Sequence, residues 1–156
     1  MRIIDAHAHL GQDCVFDEMF TEDALLDKHR QCGIAASIVQ PATCHDLASV
    51  VRQHNAIAGL AVRNPGVFYG MANPNPHLDE ESYRQEVQRC ISELRFVGIK
   101  LHPAAHAAPP GGRDSRKVFA MARELKVPVM VHTGNGIPFA NPANLIPLAE
   151  QYPDLF

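Results

Sequence analysis

The chain carries no Cys-x-x-Cys pair and no block of like charge, and each absence removes a class of function. Its 14 Lys and Arg and 17 Asp and Glu leave a formal net charge of −3, spread over all segments. No basic stripe offers a footprint for nucleic acid, and nothing draws the chain to an anionic membrane. No apolar run approaches the ~18 residues that a membrane span needs, and no charged and then apolar leader precedes the first strand. The expected compartment is therefore the cytoplasm. The four cysteines (Cys14, Cys32, Cys44, Cys90) are widely spaced and read as reduced thiols, not as a disulfide frame or a zinc knuckle. What remains is a chain of 156 residues, 46% hydrophobic and 20% charged, which is the size and composition of one globular domain spanning 1–156. It also holds nine histidines, a high count whose placement matters more than the number.

Two of them lie in the opening stretch, Ile3-Ile4-Asp5-Ala6-His7-Ala8-His9-Leu10. Read as a strand, it points Asp5, His7 and His9 to one face and Ile4, Ala6 and Ala8 to the other. Two imidazoles standing one above the other can give a single metal ion two neighbouring nitrogen ligands. The competing reading is a pair of structural histidines.

The rest of the chain alternates. After a polar loop to Phe20, a helix is expected from about Thr21 to Cys32, with Thr21 as N-cap, acidic residues in its first turn, basic ones in its last and Gly33 as the stop. Ile34 to Gln40 reads as a buried parallel strand. A helix from about Asp46 carries His54 on its apolar stripe, where a satisfied core histidine is expected. Val67–Ala72 is the third strand, 79–94 the third helix, and 96–103 the fourth strand. The segment Ala104–Arg113, rich in Ala, Pro and Gly, is expected to be exposed or mobile. A fourth helix (about 114–126), a fifth strand (127–131) and a last helix capped by Asn141 with Pro142 at its first position complete the pattern.

Strand starts near 2, 34, 67, 96 and 127 recur about every 31 residues, the average period of an eight-unit (β/α) barrel of ~250 residues. The fold class is thus α/β: a partial TIM-type barrel of five strand–helix units, expected to be cut before strand six because a new apolar run only begins at Tyr152-Pro153-Asp154-Leu155-Phe156. A five-unit flavodoxin-like sheet is the alternative. In a barrel, working residues gather at the C-terminal ends of strands, and His7, His9, Lys100, His102 and His132 all occupy such ends.

Three pieces, Asp5-Ala6-His7-Ala8-His9, Gly98-Ile99-Lys100-Leu101-His102-Pro103 and Val127-Pro128-Val129-Met130-Val131-His132-Thr133-Gly134, resemble the amidohydrolase superfamily, in the branch holding metal-dependent hydrolases and decarboxylases. The resemblance implies His7, His9 and His132 as metal ligands. It implies Lys100 as a catalytic residue and, when carboxylated, a bridge between two ions; a surface lysine at a strand end is the other reading. His102 and His106 would line the substrate site or simply finish the strand and its loop. Asp5 would orient His7 or merely be buried with its own hydrogen bonds. The implied cofactor is a divalent metal, zinc first and iron or manganese next, as one or two ions. The implied reaction is hydrolysis of an amide or ester-like bond in a small-molecule substrate, with non-oxidative decarboxylation as the alternative. The family's strand-six His and strand-eight Asp have no counterpart here. A silent α/β metal- or partner-binding module, self-associating through the open sheet edge, is therefore the third reading.

Overall fold

In the computed structural model, which describes residues 2–155, five strands run parallel: β1 (Ile3–Gln12), β3 (Ile34–Pro41), β4 (Phe68–Ala72), β5 (Gly98–Leu101) and β6 (Val129–Val131). The two-residue β2 (Met19–Phe20) pairs antiparallel with the end of β1, so the segment expected to be a loop folds back on its own strand. The sheet order is β2-β1-β3-β4-β5-β6. Parallel neighbours are thus consecutive, whereas a flavodoxin-like sheet reverses direction at a switch point. That alternative is excluded, and the sheet is an arc of a (β/α) barrel.

Helices α1 (Glu22–Cys32), α2 (Leu47–Arg63), α3 (Glu80–Ser92), α4 (Arg116–Leu125) and α5 (Ile146–Gln151) follow the parallel strands in turn. Their boundaries have local causes. The Thr21 hydroxyl accepts from the Ala24 N–H at 3.2 Å, and Asp46 and Asp79 accept from Ser49 and Ser82 at 2.8 and 2.9 Å. Gly33 ends α1 in the left-handed region at φ 64°, which glycine adopts at no steric cost. Asn141 caps a 3-10 turn over Pro142–Leu145, and α5 starts only after it. None of the helices among the described residues is long and apolar enough to cross a membrane.

The core lies between sheet and helices. Ala8, Val39 and Ala72 pack in one cluster with Ile57, Leu60 and Phe96, and Ile99 and Leu101 in another with Tyr83, Val87 and Phe119. These residues face the helix layer. Strand alternation then sends their neighbours His9, Gln40, Asn73, Lys100 and His102 to the opposite, inner face of the arc. Gly70 lies on the helix side, where a Cβ would sit 2.3 Å from the ring of buried Phe96. Gly70→Ala should cost about 1–3 kcal/mol by overpacking, read as a lower urea midpoint with an unchanged m-value.

Two expectations fail for identifiable reasons. The β1–β3 register slips between Asp5 and Ala8, pairing Asp5 with Ser37 and Ala8 with Val39, so three residues of β1 oppose two of β3. This bulge breaks the alternation. Asp5 shares the side of Ser37, whose hydroxyl meets His29 of α1 at 2.6 Å, and its carboxylate accepts the His7 backbone N–H at 3.0 Å instead of orienting the ring. The segment 104–113, expected to be exposed or mobile, is exposed only in part: Ala107, Pro109, Gly111 and Arg113 face solvent, but Ala105, His106 and Ala108 are buried. Its backbone closes on itself, with His106 N–H donating to His102 O at 3.1 Å and Ala108 N–H to Pro103 O at 2.9 Å, which frees its small side chains to pack.

Candidate metal centre

The bulge in β1 leaves His7 and His9 converging. Their Nε2 atoms lie 3.1 Å apart, within reach of one ion at the usual Zn–N bond length of about 2.0–2.1 Å. Burial, followed by Lys100 and the neighbouring imidazoles, lowers the His7 pKa to about 4, and burial lowers that of His9 as well. Both rings are neutral at pH 7, the form that ligates. The Nδ1 of His9 faces the Pro41 carbonyl at 3.4 Å, which assigns the proton to Nδ1 and leaves Nε2 as the bare donor atom.

Lys100 enters from β5, 1% exposed, with Nζ 3.2 Å from His7 Nε2. Burial lowers its pKa to about 8, so the free amine, the form that can take up carbon dioxide, is accessible near neutrality. His132, at the end of β6, and His102, at the end of β5, stack with ring centroids 4.0 Å apart and planes at 13°. Neutral rings tolerate this. Burial and then His132 push His102 down to about 3, and burial and then Lys100 lower His132. The Nδ1 of His102 accepts the Ala105 N–H at 3.2 Å, so this side chain also ties down the loop. His106 is buried nearby with its pKa lowered to about 4 by burial; the Cys44 backbone is close enough to offset this in part but makes no well-formed bond to the ring.

The structure therefore brings together His7, His9 and Lys100. It does not bring the His132 ring nitrogens to the same point: among the described residues, the trio of His, Cys or carboxylate donors within 4.8 Å of one another is His54, Glu86 and Cys90. β6 is three residues long and sits at the edge of the sheet.

The His54 trio has another occupation. His54 Nδ1 donates to Glu86 Oε1 at 2.6 Å and its Nε2 accepts the Asn73 backbone N–H at 3.0 Å, so both ring nitrogens are used. Arg89 pairs with both Glu86 oxygens at 2.7 and 2.8 Å. Burial and then Glu86 raise the pKa of the Cys90 thiol, keeping it protonated. The three residues pin α2 and α3 to the end of β4.

Sequence reasoning passed over Gln40 and Asn73. They are 0% and 1% exposed, and neither the oxygen nor the nitrogen of either side-chain amide has a hydrogen-bond partner. An orphaned buried polar atom costs about 1–3 kcal/mol, so native folds keep few of them. The usable signal was alternation, since each residue follows a core residue at a strand's C-terminal end.

Comparison with known proteins bears on family and fold. A family model described as amidohydrolase matches residues 4–155. A 2-keto-4-carboxy-3-hexenedioate hydratase of Sphingobium sp. strain SYK-6 is 32% identical over 97 residues, 58% of this chain and 28% of the hydratase. Among solved structures, 5-carboxyvanillate decarboxylase from Sphingomonas paucimobilis superimposes with TM-score 0.72 at 13% identity, over 98% of this chain and 65% of that one. A dihydroxybenzoic acid decarboxylase from Polaromonas sp. JS666, with bound manganese and the inhibitor 2-nitroresorcinol, gives 0.62 at 16% identity, over 97% of this chain and 54% of its own. The chain thus spans little over a quarter of that hydratase and between half and two thirds of these structures, and the likeness to them establishes a partial (β/α) barrel.

Proposed function

The chain belongs to the amidohydrolase family, and from that membership we propose that its inner face is the metal-holding part of a site acting on a carbonyl or carboxylate group of a small molecule. The observation that carries this is the 3.1 Å approach of two neutral imidazole nitrogens, His7 Nε2 and His9 Nε2, beside the buried Lys100 amine. Those two histidines would hold a divalent ion, with Lys100 as the next donor in reach; His132, at the edge strand, stands outside that point. Nitrogen donors suit zinc, and the manganese in the Polaromonas decarboxylase supports that ion as the alternative. Such an ion supplies Lewis acidity, polarising a carbonyl and bringing the pKa of water from 15.7 to about 7.

The chain's own residues do the remaining work. Lys100, with its pKa lowered to about 8, holds or releases a proton close to His7, and as an ammonium it pairs with a substrate carboxylate. His102 ties down the start of the segment 104–113 by accepting the Ala105 N–H. Hydrolysis of an amide or ester-like bond follows when water is the attacking group. Non-oxidative decarboxylation is the second reading, favoured by the decarboxylases among the similar folds.

Metal per chain, measured by elemental mass spectrometry after loading and desalting, tests the site. Wild type should retain close to one ion. The His7→Ala/His9→Ala double variant should retain less than about a tenth of that, while remaining folded by circular dichroism. Equal retention in both would overturn the assignment.

A further inference from the structure

We propose that Gln40 and Asn73 are substrate-positioning residues that receive a neutral group able both to donate and to accept hydrogen bonds, a hydroxyl or a carboxamide; the proposal rests on the reading of the inner face as the reaction site. Sheet register places them there. Gln40 pairs with His9 across β1 and β3, and Asn73 follows Ala72, the partner of Ile99, which sets it beside Lys100. Val39, Ala72 and Ile99 face the helices, so the two amides lie on the side that carries His9 and Lys100.

The four amide atoms are buried with no partner in the protein. Asn73 is not adrift. Its backbone N–H is held by His54 Nε2 at 3.0 Å, and His54 in turn by Glu86 at 2.6 Å, so a chain of buried bonds from two helices fixes where the amide sits. A fold that spends such a network on placing an unsatisfied amide beside reactive groups is keeping it for a ligand.

The chemistry of that ligand follows from the inventory. Each amide offers one acceptor oxygen and one donor NH2 group. A carboxylate would satisfy the nitrogens and face the oxygens with like partial charge; an ammonium would do the reverse. A hydroxyl or carboxamide pairs with both.

The test observes the side-chain NH2 signals of Gln40 and Asn73 by 1H–15N correlation in the full chain, assigned by their loss in Gln40→Leu and Asn73→Leu. Benzamide is the probe and benzoate its anionic counterpart. Benzamide should shift both signals and each Leu variant should bind it at least fivefold more weakly, whereas benzoate, held by Lys100, should bind the Leu variants as well as it binds wild type, read at the remaining amide. Because the replaced amides have no partners, both variants should melt at or above the wild-type temperature. No response to benzamide, or benzoate binding weakened by the Leu changes as much as benzamide binding, overturns the proposal. So does a melting temperature lowered by several degrees with benzamide binding intact, which would assign the amides to structural bonds through water. Metal loading of the same samples separates the two ideas: its failure in wild type defeats the metal centre and leaves the amide result readable.

Discussion

Lowering the pH from 7 to 4 is expected to strip this protein of much of its stability, with the loss beginning before its carboxylates titrate. His7 and His106 are held to about 4 and His102 to about 3, and His9, His29, His54 and His132 are all lowered, with burial as the leading cause in each case. An unfolded chain binds protons on these rings near pH 6.5, and the folded one does not. Between pH 6.5 and the depressed folded values the unfolded state therefore carries more protons, and stability rises with pH. The histidine contribution is complete above about 6.5 and lost as pH falls toward 4 and 3. Each of the buried rings His29, His54, His102 and His106 contributes a slope of up to about 1.4 kcal/mol per pH unit in that window, and the solvent-screened His7, His9 and His132 contribute less. Glu86 adds a second step. Burial works to raise its pKa, but its bonds to His54 and Arg89 outweigh this and hold it near 2, so its contribution is present above about 4.5 and is lost below. Urea midpoints at pH 7.5, 6, 5 and 4 should fall throughout, with the drop between 6 and 5 made shallower by His106→Leu. A flat profile between 6.5 and 5 would show that these rings are not buried as described.

The parts of the fold that local chemistry decides could be read from the sequence. Thr21, Asp46 and Gly33 mark helix ends because their side chains or backbone freedom satisfy terminal groups, and the (β/α) period follows from apolar runs of strand and helix length. The convergence of His7, His9 and Lys100 was legible because alternation and strand ends are properties of position. What escaped depends on pairing. The bulge between Asp5 and Ala8 exists only relative to β3, so alternation taken from β1 alone misplaced Asp5. The segment 104–113 has the composition of an exposed loop, yet its alanines are small enough to pack once its backbone bonds close internally. Gln40 and Asn73 read as polar strand boundaries; that they are wholly buried and unpartnered depends on what the sheet and the loop place around them.

Glu86 has no sequence signal either, since it sits in the polar run Glu80-Glu81-Ser82-Tyr83-Arg84-Gln85-Glu86, but its replacement is expected to have the largest single-site effect on stability. It is 5% exposed and accepts from His54 on one side and Arg89 on the other. In Glu86→Ala the His54 Nδ1–H loses its acceptor inside the core, and Arg89, with a side chain 26% exposed, keeps a half-buried charge without its partner. Removing one member of a buried ionic pair typically costs about 3–5 kcal/mol. Glu86→Gln separates the two components. Its oxygen still receives the His54 proton, and Arg89 turns to water, so the loss should be nearer 1.5 kcal/mol. The effect should also travel. His54 holds the Asn73 backbone N–H, so in Glu86→Ala that amide should exchange with solvent at least tenfold faster, relative to core amides such as Val39, than in wild type or Glu86→Gln. If Glu86→Ala lowered the urea midpoint but left Asn73 exchange in step with the core, His54 would be holding the end of β4 without help from Glu86. The buried chain from α3 to the inner face would then end at the helices.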